Sequence, residues 1–426
     1  MELKELIELV KGILINDYKD VNITGFSTDT RTINNEVYIA LKGKNLDGHR
    51  FITNDLKASV VISEEEIYLD DIPVIKVSNT YDSLYYIGRY IKDKYNIPVI
   101  AITGSNGKTT LKELIYNILS TKYKVLKNKE NYNNIIGIFN TIKKLNNTYD
   151  LCILEMGMNH KGEISTLSKM VQPTTGIITN IGSAHIGYLK NKKQIYKAKM
   201  EILDGLNGDL IVNGDDKYLK KSNSFKCGSK LSNDLIAYKI NIYSDYMCFD
   251  IYVDQEYQVI FNIPSKYYIS TILEAIKVGL EYNIDIKTIL KVIKEFKSVD
   301  KRLKYIKINN YTIVDDTYNA SYESVRCGLN TINQTKNRKI IILGDMLELG
   351  KFSKKYHKKI NGLLKEIDNK EVITVGNYTK YIKSNHFKNN QHLINYLKSI
   401  DLKNKYIYLK GSRKMKLDEI VKYLMK

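Results

Sequence analysis

At 426 residues the chain exceeds what one hydrophobic core supports, so two or three domains are expected, and a hydrophobic share of 43% makes it globular. The formal net charge of +19 raises nucleic-acid binding, but only seven of the 66 basic residues are arginines and the lysines are spread among Asn, Ile and Tyr without a dense basic tract, so no nucleic-acid partner is expected and the charge suits small polyanions instead. Four scattered cysteines without a C-x-x-C pair exclude a zinc ribbon or disulfide framework and point to a reducing, cytoplasmic setting, and no apolar run is long enough to span a bilayer, which removes a membrane partner.

Residues 1–95 open with MELKELIELVKGILI, apolar at helical spacing, and continue with β-rich runs at 37–41, 60–62 and 74–77, which predict a small α/β domain. Its polar loops carry Ser27, Thr28, Asp29 and Arg31, and then Lys42, Asp47 and His49. Hydroxyls and an arginine on a loop serve as diphosphate or ribose ligands, and serve equally well as turn and capping residues.

Residues 97–119, IPVIAITGSNGKTTLKELIYNIL, read as a buried strand, a glycine loop and an amphipathic helix. Gly104, Ser105, Asn106, Gly107, Lys108, Thr109 and Thr110 form a phosphate loop with two residues between its glycines instead of the usual four. Backbone N–H groups of such a loop and the positive end of the following helix cradle phosphate oxygens. Lys108 is expected to reach the terminal phosphates, and the Thr109 hydroxyl to ligate Mg²⁺.

Beyond this helix, Asn131, Asn133, Asn134 and Gly137 mark a polar turn. A strand at 150–154 ends in Glu155, a carboxylate on the edge where the phosphate loop opens and so placed to ligate Mg²⁺, with helix capping as the alternative. A second strand at 176–180 leads to His185, and the helical YKAKMEI carries Lys199, which unmodified reads as a surface lysine. Residues 213–261 are short Tyr-rich strands, and 265–279 (SKYYISTILEAIKVG) follow as a helix with Ser270 and Thr271. From about 305, strands at 311–314, 339–343, 372–375 and 406–409 alternate with amphipathic helices, predicting a smaller doubly wound domain. Arg302 stands at its entrance, and its strands deliver DDTYNA (Asp316, Asn319), LGDMLELG and LKGSR (Lys410, Ser412, Arg413).

The shortened TGSNGKTT loop, with these windows, resembles the Mur ligase family of peptidoglycan synthesis and its folylpolyglutamate and cyanophycin relatives. The resemblance runs through the whole chain and implies an α/β protein of three domains. These are 1–95 binding a UDP-sugar, 96–304 binding ATP on a mostly parallel sheet, and 305–426, Rossmann-like, binding the incoming substrate. It further implies a cytoplasmic, monomeric, ATP-dependent amide ligase working through an acyl phosphate. ATP would meet the phosphate loop, Thr271, Arg302 and Asp316, and two Mg²⁺ would be held by Thr109, Glu155, His185 and a carbamylated Lys199, with Lys108, His185, Lys199 and Arg302 catalytic. Ser27, Thr28, Asp29, Arg31, Lys42, Asn133 and Asn134 would meet the nucleotide sugar, and Asn319, Lys410, Ser412 and Arg413 the incoming group. LGDMLELG and LKGSR resemble the branch that adds D-alanyl-D-alanine to a UDP-N-acetylmuramoyl-tripeptide, while the D-N-P-x segment of the diaminopimelate and lysine adders is absent. Ser270 or Thr271 stands where the family places an adenine-facing asparagine, which leaves base selection open. Another amino-acid ligase of the superfamily, or a non-catalytic nucleotide-sugar-binding paralogue, are the rival readings.

Overall fold

The computed structural model describes residues 1–16, 21–129, 131–308 and 310–426, and in them three α/β units follow one another along the chain. The first is a sheet of five strands in the order Ile13–Leu14, Val74–Lys76, Ala58–Ser63, Glu36–Ile39, Phe26–Ser27, parallel apart from the first pair. The opening helix, Leu3–Val10, turns Leu3, Leu6 and Val10 into the core, the one-sided stripe its spacing predicts. A second helix, Thr80–Tyr95, capped by Asn79, carries the chain across to the central unit. Gly88 on it lies so near Met170 that a side chain there would meet the thioether sulfur at 2.7 Å.

The central sheet has seven parallel strands in the order Leu235–Ile236, Phe225–Gly228, Asp209–Asn213, Thr175–Ile178, Val99–Thr103, Leu151–Glu155, Val125–Lys127. Val99–Thr103, Leu151–Glu155 and Thr175–Ile178 are buried along their whole length, which is why they read as continuous apolar runs without alternation. From Val99–Thr103 the chain passes first to one side of the sheet and later to the other. The carboxyl ends of these three neighbours therefore flank a topological switch point, where α/β sheets open a crevice. The Tyr-rich stretch divides: Phe225–Gly228 and Leu235–Ile236 extend the parallel sheet, whereas Tyr238–Ile242, Met247–Tyr252 and Glu256–Phe261 form a separate antiparallel meander.

The third sheet has the order Lys304–Ile308, Tyr311–Asp315, Lys405–Lys410, Arg338–Gly344, Lys370–Val375, Asn385–Phe387, with its first strand antiparallel and the others parallel. The four inner strands are those expected. The edge strands Lys304–Ile308 and Asn385–Phe387 were not, because half-exposed residues carry no apolar signal. Among the described residues no helix is long and apolar enough to cross a membrane.

Candidate active site

The strand Val99–Thr103 ends at Gly104, whose φ of 147° and position, 1.8 Å from Thr179 Oγ1 to any added Cβ, admit only glycine. Gly107, at φ 84°, then starts the helix Lys108–Leu119. Between the two, the Ser105 and Asn106 N–H groups are clamped to Asn180 at 3.0 and 3.1 Å, while Thr179 Oγ1 donates to the Asn106 carbonyl at 2.6 Å. The loop is fixed from the neighbouring strand end, and the first helical N–H groups are left to face outward as an anion cradle. Lys108 folds back over it, donating to the Gly104 carbonyl at 2.9 Å. Burial, and Arg302 nearby, hold its ammonium below the ordinary lysine value against the opposing pull of Glu155.

Thr109 Oγ1 donates to Glu155 at 2.6 Å and accepts from Arg302 at 2.9 Å, so the helix start, a neighbouring strand end and the entrance to the third unit meet at one hydroxyl. Glu155 is almost fully buried, and Asn133 donates to its other oxygen at 3.0 Å. Its backbone is held by Asn128, which accepts from Glu155 N–H and donates to Glu155 C=O, both at 2.9 Å. Asn128 in turn takes the ammonium of wholly buried Lys112 on its carbonyl at 2.7 Å. Neither Asn128 nor Lys112 was legible as a site residue.

His185, at φ 62°, begins a short helix, Ile186–Leu189. Burial, with Lys199 and Lys108 adding to it, lowers its imidazole to about 3, so the ring is neutral. Glu348 comes within 3.2 Å of its Nδ1 without hydrogen-bond geometry, and that buried nitrogen has no hydrogen-bond partner. Lys199 is only 2% exposed, not the surface residue of the unmodified reading. Burial first, and then Lys108, force its ammonium well below the usual range, and it makes no hydrogen bond or ion pair with the described residues. A hydroxyl beside a carboxylate, a neutral imidazole with an orphaned nitrogen and a buried amine without a partner form a donor set suited to Mg²⁺ if the amine carries a carboxyl group.

The third unit closes over this centre. Ser321 Oγ donates to Asn106 in the phosphate loop at 2.8 Å, and Glu323 accepts from Ser183 N–H and Oγ and from Lys192 at 2.6 to 2.9 Å. The resulting cleft encloses about 2130 Å³ and is lined by residues of all three units, including Lys44, Tyr81, the phosphate loop, Asn133, Asn134, His185, Thr271, Arg302, Asp316, Asn319, Lys410, Ser412 and Arg413. That is more than twice a single small-molecule site, enough for several substrates at once.

Some expected ligands stand elsewhere. Ser27, Thr28, Asp29, Arg31 and Lys42 do not line the cleft. Asp29 is engaged by the Arg31 fork at 2.8 and 2.6 Å, and Ser27 closes the same turn, so these polar groups serve one another. Ser270 donates to buried Glu274 at 2.8 Å, which leaves Thr271 as the hydroxyl at the cleft. Asp316 is bound by Lys410 at 2.7 Å and Tyr408 at 3.0 Å, and Ser412 accepts the Leu347 N–H, so Lys410 and Ser412 brace the site from within. Tyr267 and Arg326 were not foreseen; they line the cleft near Thr271, the guanidinium 5.4 Å from the ring centre.

Residues 102–279 match the model of the Mur ligase middle domain and residues 301–413 that of the Mur ligase glutamate ligase domain. A UDP-N-acetylmuramoyl-tripeptide–D-alanyl-D-alanine ligase of Bacillus subtilis is 32% identical over 99% of this chain and 98% of its own. The chain belongs to the Mur ligase family. As a member it is an ATP-dependent ligase. The Escherichia coli relative of the same description is 28% identical over 99% of this chain and 98% of its own. Among solved structures, MurF from Acinetobacter baumannii is 26% identical and superposes with a TM-score of 0.90 over 99% of this chain and 98% of that one. The Thermotoga maritima MurF ligase in complex with ADP, 24% identical with a TM-score of 0.86 over 94% of this chain and 97% of that one, shares the fold.

Proposed function

We propose that this Mur ligase joins D-alanyl-D-alanine to a UDP-N-acetylmuramoyl-tripeptide in the cytoplasm, acting as a single chain. The observation that carries the reading is the meeting of Lys108, Thr109, Glu155 and Arg302 at one point of a cleft lined by all three units, in a chain similar end to end to ligases of that description. The tripeptide's terminal carboxylate oxygen attacks the γ-phosphorus of ATP, ADP leaves, and an acyl phosphate forms. The dipeptide amine then attacks the acyl carbon, the C–O bond to phosphate breaks, and the nitrogen sheds its proton to solvent.

Lys108 swings from the Gly104 carbonyl to the β- and γ-phosphates, the helix start holds them, and Arg302 reaches the γ-phosphate from the far side as a bidentate donor. Tyr318 flattens Arg302 against its ring, 4.0 Å from centre to guanidinium, which fixes the fork's direction. Thr109 with Glu155, and His185 with carbamylated Lys199, would hold two Mg²⁺, supplying positive charge where phosphoryl transfer develops negative charge. The support for the carbamate is energetic: an unpaired ammonium beside Lys108 costs several kcal/mol of desolvation, whereas a neutral amine is the form that takes up CO₂ and a carbamate would gain from the same cations. Asp316 is assigned to the ATP ribose, Lys44 and Tyr81 join Asn133 and Asn134 toward the nucleotide sugar, and Asn319 and Arg413 face the dipeptide.

The deciding experiment measures ADP release by the purified chain with candidate acceptors and amines. Release that requires both the tripeptide nucleotide and D-alanyl-D-alanine is expected. Release driven by a folate or another amino acid instead, or tight nucleotide-sugar binding with no turnover, overturns the reading.

A further inference from the structure

The third unit contributes three carboxylates to the cleft lining, and their surroundings differ. Asp316 is neutralised by Lys410 and Glu323 by Lys192. Glu348, about one-third exposed, has no lysine or arginine paired with it among the described residues; it accepts from Asn319 at 3.3 Å and points its other oxygen at His185. Its charge is near enough to act on Lys108 in the phosphate loop. A carboxylate left unmatched beside a phosphate site repels the substrate unless a cation arrives with it.

The backbone brings Glu348 there deliberately. Its turn touches the central unit through two glycines: a Cβ on Gly187 would lie 2.8 Å from Gly350 N and 2.9 Å from the Glu348 carbonyl, and Gly350 itself has φ 52°. The same turn is fastened by the Leu347 N–H to Ser412 Oγ at 2.9 Å, next to Arg413, whose guanidinium lines the cleft without a carboxylate partner among the described residues. One carboxylate and one guanidinium thus stand on two hydrogen-bonded loops. Opposite charges so paired match a zwitterion, and a free dipeptide is one.

Resting on the ligase reading above, we propose that Glu348 receives the ammonium group of the incoming dipeptide, with Arg413 at its carboxylate end; the ammonium gives one proton to solvent, and the free amine is delivered from the third unit toward the acyl phosphate at the phosphate loop. Asn319, already on Glu348, keeps the carboxylate turned into the cleft.

The test is steady-state kinetics of the full chain with Glu348→Gln and Glu348→Asp, together with trapping of the acyl phosphate by hydroxylamine, which is uncharged at neutral pH. Removing the charge from a charge-assisted contact should raise KM for D-alanyl-D-alanine tenfold or more. KM for ATP and for the tripeptide nucleotide, the Mg²⁺ midpoint and the hydroxylamine rate should each stay within about threefold, because an uncharged nucleophile needs no carboxylate. Glu348→Asp keeps the charge but withdraws it, so its dipeptide KM should fall between wild type and Gln; if Gln fails to fold, a selective rise in Asp decides. An unchanged dipeptide KM overturns the proposal. So does a joint loss of hydroxylamine trapping with a raised Mg²⁺ midpoint, which would make Glu348 a support of His185. Failure of the wild-type chain to yield any trapped acyl phosphate from the tripeptide nucleotide sinks the ligase reading itself, a separate result.

Discussion

The phosphate-loop end of the cleft and the end at Tyr267 and Thr271, to which we assign the base of ATP, are built by different means. At the phosphate end, strand termini and glycines do most of the placing: Gly104 against Thr179, and the Ser105 amide on the Asn180 carbonyl. At the base end, the lining is of side chains, Tyr267 with Arg326 beside it, and Thr271. Backbone placement tolerates almost no substitution and writes itself into sequence as a motif. Side-chain placement leaves many solutions and no motif. The phosphate end should therefore fail all at once when altered, and the base end by degrees.

The sharpest test is Lys108→Ala. Lys108 bonds only a loop carbonyl and supports no core, so the variant should fold with an unchanged melting temperature while turnover falls by a factor of about 10² to 10³, the loss typical of one charge-stabilising donor. Near-normal turnover would remove the loop from the chemistry and dissolve the contrast between the two ends.

Lys199→Ala comes next, with an expected loss of about 10² that a short carboxylic acid in the buffer partly restores, since the acid enters the vacated volume and supplies the missing oxygen. Lys199→Arg should stay inactive with or without the acid, because the guanidinium fills the space and keeps the positive charge. Full activity of Lys199→Ala in plain buffer would end both the carbamate and the assignment of His185 to the same metal.

What could be read in advance follows the same division. The parallel strands ending in Gly104, Glu155 and near His185 were legible because two-sided burial forces unbroken apolar runs and puts chemistry at their carboxyl ends. The burial of Lys199 was not, since a lysine on a lysine-rich helix looks solvated until the fold packs it close to Lys108. Asn128 escaped notice because its work is hydrogen bonding to backbone 27 residues away, which no local spacing encodes. Ser27, Asp29 and Arg31 were legible as a polar cluster; that they bond one another in a turn outside the cleft lining was not, because an exposed arginine two residues from an aspartate readily completes its own turn.

At the base end a smaller effect is expected. Ser270 is spent on Glu274, so of the two helix hydroxyls only Thr271 is free at the cleft, and Arg326 lies with its guanidinium 5.4 Å from the Tyr267 ring centre. GTP should then support ligation with kcat/KM within about tenfold to a hundredfold of ATP. A preference for ATP of about 10⁴ or more, as a pocket matched to the base achieves, would show that the base end is as closely specified as the phosphate end. Arg326→Ala should raise KM for both nucleotides alike.

The smallest expected effect concerns the turn that carries Met346 and Glu348, which is held by a side chain rather than by strand geometry. His357 is wholly buried, accepting from Met346 N–H at 3.1 Å and paired through Nδ1 with the Ser353 carbonyl at 2.7 Å, which fixes a neutral tautomer donating from Nδ1 and accepting at Nε2. Burial lowers its pKa below the ordinary histidine value, with the Ser353 carbonyl and Asp345 partly opposing. The sign follows directly: the unfolded chain takes up a proton near pH 6.5 while the folded chain resists, so the stabilisation is complete above that pH and declines as pH falls toward the lower folded value. Within that window the slope approaches about 1.4 kcal/mol per pH unit for the one proton. Urea unfolding of the full chain at pH 7.5 and 5.5 should show the decline in wild type and a smaller one in His357→Gln, whose amide can still accept from Met346 but does not titrate. Equal declines in the two chains would mean that His357 takes no part in the pH response.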